Sequence, residues 1–278
     1  MRVSGCVNMR RDGFGIEIIA TGDEIMFGRI TDTNSPWIAR RSAELGARVR
    51  RVTCVGDDVE EISGVLVDVL ARSPDLVVIT GGLGPSEDDM TVEAVGRAVG
   101  RGVVLDPGAV ERIRRSYEER GIRHSARGER MARILEGSRP LPNPVGMSVG
   151  LAVEAGGSTI MTFPGIPAEM TAMFDAYAAP LIEEGASSRF VARTVVARVV
   201  FKDFFPVYRG MQRDYPDVYL KNAATPPESA DGRLEVREIK VDVVVEGGSR
   251  EECEGRMEEV LAEFDRRLGG VGGRILRG

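Results

Sequence analysis

The chain contains few cysteine, histidine and aromatic residues. Its 278 residues include three cysteines, one histidine and one tryptophan, and aromatic residues make up 5% of the sequence. Cys6, Cys54 and Cys253 lie far apart and form no C-x-x-C pair. This spacing supports neither a disulfide framework nor a cysteine zinc site, so we expect a protein of the reducing cytoplasm.

Long hydrophobic runs are also missing. No apolar stretch approaches the roughly 20 residues that a membrane span needs, and residues 1–12 lack the apolar centre of a signal peptide. We therefore expect no membrane partner. Residues 1–14 are predicted to form a flexible extension ahead of the first domain.

Positive charge is not in excess, because 43 acidic residues stand against 37 basic ones and give a net charge of −6. Proteins that bind nucleic acid usually carry a basic surface, so nucleic acid is not an expected partner. The length and the 42% hydrophobic content instead fit a globular protein of two domains.

Short apolar runs alternate with helical patterns in the first part of the chain. This alternation predicts an α/β fold with a doubly wound, mostly parallel sheet. Ser35 is the expected N-cap of the first full helix, with Pro36 at its first helical position. The predicted strands are residues 15–20, 49–55 and 76–79, and the predicted helices are residues 36–45, 58–72, 91–99 and 107–120.

The rest of the chain completes this domain and adds a second one. Residues 139–144 are rich in proline and are expected to form a rigid, non-helical lining. Residues 150–154 and 159–163 are predicted to form a hairpin, followed by a helix that ends near residue 184. We therefore place the first domain at residues 15–187 and a small α+β domain at residues 188–278.

The most informative segment follows the strand at residues 76–79. The sequence Gly-Gly-Leu-Gly-Pro at residues 81–85 leads into Asp88 and Asp89. Glycines here would bring backbone N–H groups close to an anion, and a helix expected to begin near Asp88 would add its positive dipole end. Two carboxylates beside a phosphate repel it unless a divalent cation lies between them. The segment therefore predicts a metal-phosphate site, although an ordinary N-cap explains one of the two aspartates.

Five motifs in this order resemble those of the CinA-type competence/damage-inducible proteins, and together they cover residues 16–184. The resemblance implies the molybdopterin-binding-like fold of the MoaB, MogA and MoeA group, followed by a small domain. Full-length bacterial CinA proteins also carry a carboxyl-terminal nicotinamide mononucleotide deamidase domain, which we do not expect in this chain. The motifs are Thr21-Gly22-Asp23-Glu24, Asp32-Thr33-Asn34, Gly81-Gly82-Leu83-Gly84-Pro85 through Asp88-Asp89-x-Thr91, Leu141-Pro142-Asn143, and Pro164-Gly165-Ile166-Pro167-x-Glu169-Met170.

The resemblance also implies an activity. Relatives hydrolyse the pyrophosphate of ADP-ribose and similar dinucleotides with a metal, whereas molybdenum-cofactor relatives bind molybdopterin or adenylylate it. We expect metal-dependent hydrolysis of ADP-ribose, FAD or an NAD-type dinucleotide with Mg²⁺, Mn²⁺ or Co²⁺; the alternative is a molybdopterin- or nucleotide-binding protein without turnover. Leu83 replaces a usual threonine and Asp88 replaces a common basic residue, which weakens the molybdopterin alternative.

These motifs supply the candidate site residues. Asp89 is expected to hold the metal with Asp88 or Asp23, and Glu24 or Glu169 is expected to orient the attacking water. The predicted catalytic residues are thus Asp89, Glu24 and Glu169. The predicted ligand-binding residues are Thr21, Gly22, Asn34, Gly81, Gly82, Leu83, Gly84, Pro85, Thr91, Asn143 and Gly165.

Several of these side chains also have a purely structural interpretation. Asp23 and Glu24 could begin a turn, and Glu169 could pair with a helix dipole. Asn34 and Asn143 could cap local backbone.

Other residues near the motifs have two interpretations as well. Trp37 is expected in the core rather than as a base-stacking platform, and His124 on the surface rather than in catalysis. We expect a small-molecule nucleotide as ligand and a homo-oligomer as the assembly. Four arginines could either clamp a second phosphate or form a solvated charge run; they are Arg123, Arg127, Arg130 and Arg133.

Overall fold

A computed structural model of the chain describes residues 13–119, 121, 126–187, 189–224 and 234–276. The predicted extension falls almost wholly outside these residues, as do Arg123 and His124. Phe14–Ala186 forms one compact unit, and the residues from Ser187 onward belong to another. Within the described ranges, no helix is both long and apolar enough to cross a membrane.

The first unit is built on a six-stranded sheet. In spatial order its strands are β2 (Arg48–Val55), β1 (Gly15–Thr21), β3 (Leu76–Thr80), β8 (Ser158–Phe163), β7 (Gly150–Ala155) and β6 (Arg139–Leu141). The first four strands run parallel, and the last two pair in the antiparallel sense. The predicted α/β class with a mostly parallel sheet is confirmed.

Helices cover both faces of this sheet. Alternate residues of the central strands enter two separate core clusters: Val77 and Ile79 lie in one, and Leu76 and Val78 lie in the other. Strands buried on both faces explain why the sequence shows continuous apolar runs rather than alternation. The helices are α1 (Asp23–Met26), α2 (Asn34–Glu44), α3 (Val59–Leu70), α4 (Thr91–Val99), α5 (Pro107–Glu119), α6 (Pro167–Met173) and α7 (Ala179–Gly185).

Short elements connect these helices and strands. A two-stranded sheet pairs β4 (Val103–Leu105) with β5 (Arg133–Leu135), and a 3₁₀ turn spans Gly128–Ala132. A π-helical turn at Phe174–Ala178 joins α6 to α7. The predicted single helix up to residue 184 is therefore two α-helices with a π-helical turn between them.

Two predicted helix starts are wrong. Helix α2 begins at Asn34 with Thr33 as its N-cap, and the Ser35 N–H donates to Asp32 Oδ1 at 3.0 Å. Ser35 is therefore inside the helix, because the carboxylate of Asp32 satisfies a free N–H of its first turn. The helix after the glycine turn begins at Thr91 and not near Asp88, so the start near Asp88 is wrong and the predicted range 91–99 is confirmed.

The proline-rich stretch is a strand in part, not only a lining. Its first three residues form β6, which pairs with β7 at the edge of the sheet. Pro140 is tolerated there because an edge strand has one side without ladder hydrogen bonds. The predicted hairpin between β7 and β8 is confirmed, with Gly156 and Gly157 at φ of 59° and 81° in its turn.

In its described residues, the second unit is an antiparallel sheet with two helices. Its strands lie in the order β10 (Tyr219–Asn222), β11 (Val236–Gly247), β9 (Arg189–Val200) and β12 (Arg274–Leu276), and its helices are α8 (Phe201–Asp214) and α9 (Arg250–Gly269). The described elements follow the order β-α-β-β-α-β, which is that of ferredoxin-like domains. The predicted α+β class is confirmed, and β12 is a strand that the sequence pattern did not predict.

Glu17 is a buried charge of the first sheet. It lies on β1 with 2% of its surface exposed, and Arg72 donates to it from Nε at 2.8 Å and from Nη2 at 2.6 Å. We expect Arg72→Met to lower the free energy of unfolding by about 3 kcal/mol, because it leaves a buried carboxylate unpaired.

Denaturation in urea measures this loss. Arg97→Met is the matched control, because it breaks an exposed ion pair with Glu60 and should cost less than about 1 kcal/mol. Equal, small losses in the two variants would contradict the interpretation.

Candidate functional site

A cavity of about 500 Å³ lies at the carboxyl edge of the parallel strands. Ala20 pairs with Thr80 and Thr80 with Phe163, so three neighbouring strands end at the same level. Ligands bind at this edge in open α/β sheets. Its lining includes Thr21, Gly22, Glu24, Asp32, Thr33, Asn34, Asp57, Gly81, Gly82, Leu83, Gly84, Asp88, Asp89, Ser148, Pro164, Gly165, Ile166, Pro167 and Glu169.

The lining brings together residues of four of the five motifs that the sequence displayed. Asp23, Pro85, Thr91 and Asn143 were predicted in the site but do not line the cavity. Ser148 and Asp57 line it and were not predicted. We therefore define the candidate site by the residues that line the cavity and not by the predicted set.

Hydrogen bonds of buried polar side chains connect the segments that line the cavity. Thr80 Oγ1 donates to the Pro164 carbonyl at 3.0 Å, and Asn34 Nδ2 donates to Thr80 Oγ1 at 3.0 Å and to the Gly165 carbonyl at 2.9 Å. Asn34 thus links the start of α2 to the ends of β3 and β8, rather than capping its own backbone. Its buried Oδ1 has no partner among the described residues and remains an unsatisfied acceptor.

The buried side chain of Thr91 packs against the glycine turn that follows β3. Gly81 and Gly82 have φ of 111° and 65°, a conformation that favours glycine, and a Cβ on Gly82 would collide with Thr91 Oγ1. Thr91 Oγ1 donates to the Gly81 carbonyl at 2.9 Å and lies 3.3 Å from Thr21 Oγ1. Thr91 is fully buried, so its side chain stabilises the turn and does not contact a ligand.

Backbone N–H groups of the same turn are free to bind a ligand. The Gly81 N–H donates to Phe163, but those of Gly82, Leu83 and Gly84 have no acceptor within the described part of the chain. The Leu83 side chain lies in the core, so only its backbone can contribute to the site. Successive free N–H groups in such a turn form an anion-binding concavity.

Two carboxylates follow the turn, and their environments differ. Asp89 Oδ2 accepts the Ser86 N–H at 2.7 Å, and Arg130 Nη2 donates to the Asp89 carbonyl at 3.2 Å. Asp88 is exposed, and a hydrogen bond from the Ser86 side chain lowers its pKa, as do the charges of Arg127 and Arg130. Asp89 therefore orders the loop, while Asp88 stays charged at its surface.

Asp57 is a carboxylate of the cavity that the sequence analysis missed. It and Asp23 cap each other: the Asp23 N–H donates to Asp57 Oδ2 at 3.0 Å and the Asp57 N–H to Asp23 Oδ1 at 3.2 Å. Burial raises the pKa of Asp57, and the negative charges of Asp23, Glu24 and Asp88 raise it further. One observation could have found it, because Asp57 follows the end of β2 as Asp23 follows the end of β1.

Glu169 reaches the cavity with the help of Asn143. Asn143 Nδ2 donates to Glu169 Oε2 at 2.6 Å, while its Oδ1 accepts the N–H groups of Val145 and Gly146 at 3.1 and 2.9 Å. Asn143 therefore caps local backbone, as its structural interpretation predicted, and also orients a carboxylate.

The charges of the cavity favour a cation. Its lining contains no arginine, lysine or histidine among the residues that the structure describes. No three acidic, cysteine or histidine side chains in those ranges are grouped so that they could hold a metal by themselves. Magnesium is often bound by one or two carboxylates together with phosphate oxygens, so these carboxylates fit a metal that binds with a phosphate ligand.

Arg130, Arg133 and Trp37 have structural partners. Arg130 and Arg133 both pair with Glu93, so neither is a free phosphate clamp nor part of a solvated charge run. Trp37 packs edge-on against Phe174, with ring centroids 5.6 Å apart. Trp37 is half-buried, packs against one core cluster and does not line the cavity, so packing rather than stacking on a base accounts for its position.

The comparisons with known proteins agree with this architecture. Residues 17–184 match the family described as "Probable molybdopterin binding domain". This match covers more than half of the chain, and the chain therefore belongs to that family.

Relatives extend over both units. A protein of Aeropyrum pernix is 38% identical over 260 residues, which cover 93% of this chain and 95% of its own. A protein of Pyrococcus horikoshii is 40% identical over 191 residues, or 66% of this chain and 73% of its own. Among solved structures, "the protein CinA with unknown function" from Thermoplasma acidophilum has a TM-score of 0.55 and 36% identity, covering 60% of this chain and 98% of that one.

The support of the glycine turn by Thr91 can be tested. We expect Thr91→Val to lower the free energy of unfolding by about 1 to 3 kcal/mol, because the buried Gly81 carbonyl loses its donor. Thr91→Ser keeps the hydroxyl and should recover most of this loss. Urea denaturation measures both variants, and equal losses would show that packing of the methyl group, not the hydrogen bond, stabilises the turn.

Asp57 predicts a pH dependence of stability. Its pKa is raised above the ordinary value of 3.8, so its charged form opposes folding at neutral pH, and this penalty fades as the pH falls through the folded-state pKa. Asp57→Asn should therefore stabilise the protein at pH 7 and make no difference below pH 3.8, where the carboxyl is protonated in both states.

Thermal unfolding at both pH values measures this effect. Asp68→Asn, on the exposed face of α3, is the matched control and should leave the pH profile unchanged. A loss of stability in Asp57→Asn at pH 7 would show that the hydrogen bond to Asp23 outweighs the charge.

Proposed function

We propose that the chain hydrolyses the pyrophosphate bond of ADP-ribose or a related dinucleotide, such as FAD or NAD, with a divalent metal ion. The observation that carries this proposal is that one cavity contains both free backbone N–H donors and carboxylates. The free N–H groups of residues 82–84 would attract anionic oxygens, while the negative charge of Asp57, Asp88 and Asp89 favours a cation. A pyrophosphate with a bound metal satisfies both.

The residues of the cavity supply distinct parts of the reaction. The N–H groups of the glycine turn would hold the oxygens of one phosphate in a fixed position, which requires no rearrangement as charge develops. Asp88 and Asp89 line the cavity and would hold Mg²⁺, Mn²⁺ or Co²⁺ together with phosphate oxygens, whereas Asp23, which was also expected to hold the ion, does not line it. When bound, such an ion neutralises negative charge on the phosphate oxygens and lowers the pKa of water.

A carboxylate would then activate water. Glu24 and Glu169 both line the cavity, and Asn143 holds the second of them in place. Either could accept the proton of a water whose oxygen bonds to one phosphorus atom while the bridging P–O bond breaks. From ADP-ribose this gives AMP and ribose 5-phosphate. No covalent intermediate with the protein is required.

The second candidate is a molybdopterin- or nucleotide-binding protein that does not turn its ligand over. Two observations favour it: no preformed metal group exists in the described residues, and the Asp89 carboxylate already accepts the Ser86 N–H. The family description names molybdopterin binding and no hydrolysis. A cytoplasmic location and a homo-oligomeric state remain predictions for either candidate.

Hydrolysis of ADP-ribose, FAD and NAD with each of the three metals tests the proposal. We expect metal-dependent release of nucleoside monophosphate that falls about 100-fold in Asp89→Asn. Asparagine keeps an oxygen that can accept the Ser86 N–H, so the variant removes the charge and leaves the loop intact. Glu87→Gln is the matched control, because Glu87 lies on the same loop and does not line the cavity.

The two candidates give different results. Turnover that survives a chelator, or equal rates in Asp89→Asn and wild type, would overturn the metal site. An absence of turnover with all three substrates, together with stabilisation of the fold by the same compounds, would favour the binding protein.

A further inference from the structure

Apolar side chains lie exposed at the mouth of the cavity. Ile30 and Ile166 line it and are each 59% exposed. Met26 at the end of α1 and its C-cap Phe27, which precede Ile30 in the chain, are 54% and 75% exposed. Neither isoleucine belongs to the core clusters of the first unit. Their side chains are therefore not explained by packing of the fold.

The two isoleucines are held in place by their backbones. The Ile30 N–H donates to the Glu24 carbonyl at 3.1 Å, which closes the turn after α1. The Asn34 side chain donates to the Gly165 carbonyl at 2.9 Å and so ties the segment after Ile30 to the residue before Ile166. Two separately anchored segments thus present branched apolar side chains to one opening.

The chemistry of the rest of the wall limits what these side chains can contact. The cavity has free N–H groups and carboxylates at the glycine turn, and no aromatic side chain lines it within the described ranges. A phosphate or a sugar phosphate satisfies the polar part and leaves both isoleucines in water. A ligand that also carries a flat, apolar ring removes this surface from water, which is the usual combination in small-molecule sites.

We propose that Ile30 and Ile166 form the contact surface for the aromatic base of the ligand, so that the site selects phosphate esters that carry a base. This inference rests on the proposed function, because it assumes that the glycine turn holds the phosphate. It assigns two residues as determinants of specificity and commits the site to nucleotides rather than to sugar phosphates.

Calorimetric binding of AMP and of ribose 5-phosphate in the presence of Mg²⁺ tests the inference. The wild type should bind AMP more tightly than ribose 5-phosphate. In the double variant Ile30→Ser/Ile166→Ser the affinity for AMP should fall about tenfold or more, and that for ribose 5-phosphate should stay the same. Val52→Ser removes another exposed apolar side chain, which lies on β2 outside the cavity, and should change neither affinity.

Thermal unfolding and light scattering complete the test. Both isoleucines are largely exposed, so the double variant should keep the melting temperature of the wild type. Equal affinity of the wild type for AMP and ribose 5-phosphate, or an unchanged AMP affinity in the double variant, would overturn the inference. An unchanged AMP affinity with a fall in oligomer mass would show that the isoleucines contact a second copy instead.

Neither ligand contains a pyrophosphate bond, so these affinities do not depend on turnover. Failure of hydrolysis would therefore leave the preference for AMP visible, and failure of the preference would leave hydrolysis measurable. The two proposals can be overturned independently.

Discussion

The site depends on one constraint: polar groups that are buried at the carboxyl edge of the parallel strands must find partners. Thr80 at the end of β3 provides two such partners. Its hydroxyl donates to the Pro164 carbonyl after β8 and accepts a hydrogen bond from the Asn34 side chain. Thr91 satisfies the constraint beneath the glycine turn. These hydrogen bonds fix the positions of the segments that surround the cavity, so the binding surface follows from the way in which the fold satisfies its own backbone.

The same logic explains how so many carboxylates remain close together. Asp23 and Asp57 each accept a backbone N–H of the other, and Asp89 accepts that of Ser86. These bonds hold negative charges near one another although the pKa of Asp57 is raised by its surroundings. The fold therefore maintains an unfavourable charge arrangement, which a bound cation would relieve.

The sequence predicted the parts of the site that are local. A glycine turn after a buried strand and the order of the motifs are both visible in a linear sequence. The glycine turn and residues of four of the five motifs line the cavity. The exchange of hydrogen bonds between Asp23 and Asp57 depends on how β1 and β2 align, and the sequence does not show that register. The start of α2 was misplaced because the carboxylate of Asp32, and not the side chain of Ser35, accepts a backbone N–H of its first turn. Both residue types are common at helix starts, so the sequence allowed either position.

The absence of basic side chains from the described lining bears most directly on the choice between binding and hydrolysis. A protein that only retains a phosphate ester usually neutralises it with arginine or lysine, and the nearby Arg130 and Arg133 are instead paired with Glu93. Under the proposed function, a divalent cation would supply the neutralising charge, because both carboxylate and phosphate oxygens are ligands that it prefers. Such an ion would also promote hydrolysis of a bound pyrophosphate. The charge pattern of the lining therefore favours the proposed hydrolysis over binding without a metal.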